Sequence, residues 1–172
     1  DLMNLILKNL SIQIERKYNQ SVIELKNTLN LKDFPFIIDC FDVSNFGTSI
    51  AVGACVRFVN GYPYKNGYRR FKIKSLQSKQ DDYSMIKEIV HRKYMLHKSS
   101  IDTEKINNDY NNINSYINNN KIDTSFPNLI VIDGGKGQLT TAEFVLKKMC
   151  LNIPIISLAK ENEEIYTINS RE

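Results

Sequence analysis

The spacing of apolar residues changes several times along the chain, and each change marks an element. Residues 36–43 (FIIDCFDV) and 129–132 (LIVI) are near-continuous apolar runs, the pattern of strands buried on both faces of a sheet. Residues 48–60 (TSIAVGACVRFVN) are strand-like and end on Asn60-Gly61, a strong hairpin signal, so residues 62–74 are expected to return as a third strand. Residues 81–98 predict a helix, with Asp81 or Asp82 as N-cap and Met85, Ile86, Ile89, Val90 and Tyr94 on its apolar face. A second helix is expected over 138–150 and a last strand over 154–159. Three meandering strands followed by alternating helices and strands predict an α/β fold, a mixed sheet flanked by helices.

Two segments stand outside this pattern. Residues 1–33 predict one long amphipathic helix with Leu5, Ile6, Leu10, Ile12, Ile14, Val22, Ile23, Leu25 and Leu29 as its apolar positions. Residues 101–125 contain eight asparagines with no usable period, a composition too polar to build a core and therefore expected as a surface insertion. The division expected is a helical segment over 1–33 and one domain over 34–172, interrupted at 101–125. No apolar run long enough for a membrane span and no signal peptide is present, so a soluble, cytoplasmic protein with no membrane partner is expected. Cys40, Cys55 and Cys150 lack metal-ligand spacing and sit among apolar residues, which predicts reduced core thiols.

The chemistry concentrates at the ends of the two apolar runs. The second continues into DGGKGQ, placing Asp133 at the carboxyl end of a strand, where open α/β sheets put their sites, with Lys136 close by. In the first, Asp42 shares a strand face with Cys40 and Ile38, while Asp39 points the other way. A carboxylate at the end of a buried strand is costly unless paired, hydrogen-bonded or bound to metal. Side by side, the two strands would join Asp42 and Asp133 into a pair suited to a hard divalent cation, Mg²⁺ or Mn²⁺. Structural readings stay open: Asp42 could accept turn amides from Ser44 and Asn45, Asp39 could face solvent, and Asp133 could merely cap a turn.

Net charge is only +4, but its distribution is uneven: residues 61–98 hold ten Lys/Arg against three acids. On the third strand Arg70, Lys72 and Lys74 share one face and Arg69, Phe71 and Ile73 the other. Such a row suits a phosphate backbone without sequence preference, and equally suits a charge-protected edge strand.

The segments CFDVSNFGTSIAVGACVRFVNGYPYKNGYRRFKIK, QDDYSMIKEIVHRKY, PNLIVIDGGKGQL and IPIISLAKENEEIY, in this order, resemble the C-terminal endonuclease domain of the UvrC family, the nucleases of the excinuclease ABC system. The element order is that of the ribonuclease-H-like fold, whose first and fourth strands are neighbours carrying acidic metal ligands. The resemblance implies a metal-dependent endonuclease that makes the 5′ incision at damaged double-stranded DNA in nucleotide excision repair, with UvrB as partner and UvrA acting upstream. Asp42 and Asp133 match the family's two catalytic aspartates. Its third catalytic residue, a histidine on a later helix, is matched by neither His91 nor His97. The chain stops at Glu172, before that helix, so a fold truncated before its final helix and an incomplete active site are expected. Asn45 also departs from the family's usual histidine at that position.

The mechanism implied is metal-assisted phosphodiester hydrolysis, with Asp42 and Asp133 holding the ions and Lys136 or Lys160 stabilising charge that develops on the phosphate. Arg69, Arg70, Lys72 and Lys74 complete the expected DNA contacts. Two rival classes remain: a phosphate- or nucleotide-binding enzyme using DGGKGQ as an anion loop, and a non-catalytic DNA- or protein-binding module with the same fold.

Overall fold

The computed structural model describes Met3, Ile6, Lys8 and residues 17–46, 50–74, 81–99, 123–159 and 164–168. In chain order the elements are α1 (Gln20–Thr28), β1 (Ile37–Phe46), β2 (Ile50–Val59), β3 (Tyr62–Pro63), a 3₁₀ turn (Lys65–Gly67), β4 (Arg69–Lys72), α2 (Asp82–Ser99), β5 (Leu129–Asp133), α3 (Lys136–Lys148), β6 (Ile155–Ala159) and β7 (Glu164–Thr167). The seven described strands form one mixed sheet in the order β3-β2-β1-β5-β6-β7, with β4 following β3 along the same side of β2. β1 and β5 run parallel, as do β5 and β6, while the hairpin β1–β2 and the pair β6–β7 are antiparallel.

One face of the sheet carries the core. Phe41, Cys55, Phe71 and Ile132 point to it, and α2 and α3 cover it side by side. The five apolar positions predicted for α2 are all fully buried. Asp81 starts that helix: its carboxylate accepts from the Tyr83 amide at 3.0 Å and the Ser84 hydroxyl at 2.6 Å. At the β2–β3 turn Asn60 (φ 50°) and Gly61 (φ 80°) are both left-handed, as a two-residue hairpin whose twist matches its strands requires.

The structure differs from expectation in four places. The long helix expected over 1–33 is not continuous, because Asn19 is extended and its side chain caps a new helix, α1, by accepting from the Ser21 amide at 3.0 Å. The third strand divides into β3 and β4. Between them the chain detours around the buried Arg57 side chain, so closely that a Cβ on Gly67 would lie 2.6 Å from Arg57 Cδ. Lys93 Nζ fastens the detour by donating to the Gly67 carbonyl at 2.9 Å. β7 was not expected: its four half-exposed residues follow an acidic run and have no apolar period. Finally, Cys150 is exposed, in a left-handed residue (φ 56°) just past α3, rather than in the core. The Asn-rich stretch 101–122 lies outside the described residues.

Burial, and secondarily the charge of Asp39, pushes the Cys40 and Cys55 thiols up to about 12 from 9.0. Folding therefore favours the protonated thiols, a contribution present below pH 9 and lost as the pH rises towards 12. Since the thiolate is the reactive form, iodoacetamide is expected to label Cys150 first in the folded protein and Cys55 only after unfolding. Equal labelling of the two by mass spectrometry would contradict this packing. Among the described residues no helix is long and apolar enough to cross a membrane.

Candidate metal and nucleic-acid site

The site begins with strand register. β1 and β5 pair through Ile38↔Leu129 to Phe41↔Ile132, and the next residue on each strand is Asp42 and Asp133. Asp133 ends β5, whereas Asp42 stands beside it partway along β1, which runs on to Phe46 paired with β2 alone, rather than at the strand end expected for it. The backbones of neighbouring strands run about 4.8 Å apart. They leave the sheet on the face opposite the helices, and each is half-buried. Ser44 Oγ donates to Asp42 Oδ2 at 3.3 Å, so Asp42 meets a hydroxyl rather than the turn amides considered for it.

Asp39 has a different fate. It is wholly buried under α2, directly opposite Arg57 in the β1–β2 register. Arg57 Nε and Nη2 donate to its two oxygens at 2.6 and 2.7 Å, and Tyr94 Oη donates to Oδ2 at 3.0 Å. Arg57 also donates to the Thr124 carbonyl, tying the chain entering β5 to this network. Burial pulls Arg57 down, but the hydrogen bonds and charge of Asp39 outweigh it and leave the guanidinium raised above its ordinary value. Asp39 neither faces solvent nor joins the Asp42–Asp133 pair; it is half of a buried ion pair.

The cations follow from the same register. Asp42 pairs with Ala54, which pairs with Arg70; Ser44 pairs with Val52, which pairs with Lys72. Arg70 and Lys72 are therefore exposed on the carboxylates' own face, two strands (about 10 Å) from Asp42 and about 7 Å from each other. With Asp42, Ser44, Val52, Ala54 and Phe71 they line an open depression of about 510 Å³. Lys74 lies beyond the end of β4, its amide donating to Glu88 at 3.0 and 3.1 Å. Arg69 is not brought to the row: it stands on the other face, donating to the carbonyls of Asn66 (2.9 Å) and Tyr68 (2.8 Å). Lys136 is exposed in the first turn of α3, just past Asp133, and Lys160 lies outside the described residues.

The DGGKGQ turn is built to hold Asp133 rather than to cradle a phosphate. The Gly134 amide donates to the Leu158 carbonyl at 2.9 Å, and the Gly135 amide to Gln138 Oε1 at 2.8 Å. Two amides that an anion loop would aim at its ligand are thus already engaged. Gly134 has φ 156°, a conformation strained for any residue with a side chain, and a Cβ there, 1.6 Å from Gln138 Oε1, would also displace the glutamine that holds the Gly135 amide.

Two carboxylates and a hydroxyl, all oxygen donors, fit a hard divalent cation such as Mg²⁺ or Mn²⁺ better than a thiolate- or imidazole-seeking metal. Among the described residues no third His, Cys, Asp or Glu completes the group. His91 is on α2, across the sheet from the pair, and the His97 side chain lies outside the described residues.

The chain is similar to known proteins over nearly its whole length. Residues 26–172 match the family described as the UvrC RNAse H endonuclease domain. The chain is 42% identical over 166 residues to the UvrABC system protein C of Methanococcus maripaludis, covering 96% of this chain and 27% of that protein. The corresponding protein of Methanosarcina mazei is 38% identical over 168 residues, with 96% and 27% covered, and that of Prochlorococcus marinus 32% over 184, with 100% and 29%. The chain thus spans under a third of the length of these relatives. Among solved structures, an endonuclease V of Ciona intestinalis in complex with an inosine-containing DNA superposes with TM-score 0.44 at 16% identity, covering 72% of this chain and 46% of that one. By the family match and by identity over nearly its whole length, the chain belongs to the UvrC RNase H endonuclease domain family.

Proposed function

We propose that this chain supplies the nuclease chemistry of nucleotide excision repair, hydrolysing the phosphodiester on the 5′ side of a lesion in double-stranded DNA. The observation that carries the reading is the register that sets Asp42 of β1 beside Asp133 at the carboxyl end of β5. Like charges so close are held together most favourably around a divalent cation, Mg²⁺ or Mn²⁺, for which both side chains are the ligands. When bound there, such an ion supplies Lewis-acid polarisation of the phosphoryl oxygen and a more acidic water. Ser44 fixes the orientation of Asp42 through its hydrogen bond to Oδ2. Arg70 and Lys72 hold the phosphates flanking the scissile one, and Lys136, with Lys160, meets negative charge at the phosphate from the α3 side.

The wider assembly is part of the same proposal: damaged duplex as substrate, UvrB as the loading partner with UvrA upstream, and the cytoplasm as the place of action. Because no third ligand joins the two aspartates among the described residues, residues 1–172 on their own are expected to incise weakly or not at all.

Charge reversal tests the DNA track. Arg70→Glu with Lys72→Glu is expected to weaken duplex binding and to lower the slope of log affinity against log salt by about 2, roughly one per lost phosphate contact. An unchanged slope in a salt titration would remove these residues from the DNA path and leave them as edge-strand charges.

A further inference from the structure

The helical side of the molecule carries a second surface that the nuclease reading does not use. Between α2 and α3 runs a groove of about 390 Å³, lined by Ser84, Lys87, Glu88, His91 and Arg92 from one helix and Phe144, Val145 and Lys148 from the other. Its apolar centre is Phe144, 49% exposed although it lies on a helix that packs against the sheet. Lys148 Nζ sits over that ring, 4.6 Å from its centroid. The one acid in the lining, Glu88, is engaged: Arg92 donates to it at 2.7 Å and the Lys74 amide donates to both its oxygens. Lys87, Lys148 and His91 therefore set the electrostatic character of the rim. One turn towards the start of α2, Tyr83 (53% exposed) lies against the first turn of α3, where a Cβ on Gly137 would come within 2.6 Å of its ring. Tyr83 stands outside the lining, so Phe144 is the aromatic residue that the groove itself presents.

We propose that this groove docks an acidic, amphipathic segment of a protein partner, an apolar side chain seated on Phe144 and carboxylates meeting Lys87, His91 and Lys148. An exposed aromatic ring in a groove between two helices is an anchor point of the kind that helix-in-groove recognition uses. A basic rim selects acidic partners mainly through steering and register. The location argues for protein rather than DNA. Asp42, Asp133, Arg70 and Lys72 occupy the opposite face of the sheet, so a duplex seated there leaves the groove turned outward. A phosphate backbone, moreover, would gain nothing from an apolar floor.

Two synthetic helical peptides of equal negative charge test this on the intact protein, one with leucines at i, i+3 and i+7 and the other with serines there. The leucine peptide is expected to bind about tenfold more tightly than its serine counterpart, a difference of about 1.4 kcal/mol. Phe144→Ser, and separately Lys87→Glu with Lys148→Glu, should each cost it a similar factor; all three positions are exposed, so the variants should fold. Absence of binding by the leucine peptide, equal affinity for the two peptides, or indifference to the substitutions would overturn the proposal. So would charge reversal that weakens binding of a lesion-free duplex while sparing the peptide, since that result would make the groove a DNA surface.

Discussion

Asparagine at Asp42 or Asp133 is expected to slow incision by on the order of 10³-fold, about 4 kcal/mol of barrier. The substitution keeps side-chain volume, and the Ser44 hydroxyl still has an oxygen to donate to; only the charge is removed. Both residues are half-buried on the face away from the helices, so the fold should survive and the melting temperature should change little. The two carboxylates act as a unit if they share an ion. The double variant should then be no slower than either single one, whereas independent roles would multiply the losses. Single-turnover incision by the intact protein in Mg²⁺ reads this directly, and two small, multiplicative losses would show that the aspartates do not share a site.

The second large effect falls on stability. Arg57→Met leaves Asp39 buried without its partner, and Asp39→Leu leaves Arg57 so; each is expected to cost about 3–5 kcal/mol. A loss of that size is a large fraction of a typical domain's stability of about 5–15 kcal/mol. The double replacement, Asp39→Leu with Arg57→Met, removes both charges from the interior and should recover most of the loss, short of the cost of leaving the Tyr94 hydroxyl without its acceptor. Urea unfolding of the three variants checks this. Single substitutions costing under about 1 kcal/mol would mean that water reaches the pair. Incision should fall in the single variants only as the folded fraction falls, which separates Asp39 from Asp42 despite their closeness in sequence.

The parts legible in the sequence were those in which burial writes a period. The run LIVID was readable as a sheet interior because Leu129, Ile130 and Ile132 are fully buried, and α2 because its buried residues recur at helical spacing behind a capping aspartate. The adjacency of Asp42 and Asp133 was legible for a related reason: a carboxylate that breaks an apolar strand has few favourable environments. Asp39 met the same criterion, yet its environment is set by a partner eighteen residues away. A signal was present, since Arg57 also interrupts an apolar run and falls opposite Asp39 once the hairpin register is drawn. Tyr94 counted only as an apolar position because its hydroxyl partner belongs to another element. The division of the third strand was hidden too, being a consequence of the room that Arg57 takes. Long-range register, rather than local propensity, separates what could be read from what could not.

The central claim, that the Asp42–Asp133 pair cuts on the 5′ side of the lesion, is tested most directly by mapping the nicks at nucleotide resolution. The substrate is a duplex with one defined lesion, cut by the intact protein with its loading partners and Mg²⁺, wild type against Asp42→Asn and Asp133→Asn. The expected result is loss of the 5′ nick in both variants with the 3′ nick retained. A 5′ nick persisting at wild-type rate in either folded variant would contradict the claim and make that carboxylate a structural residue.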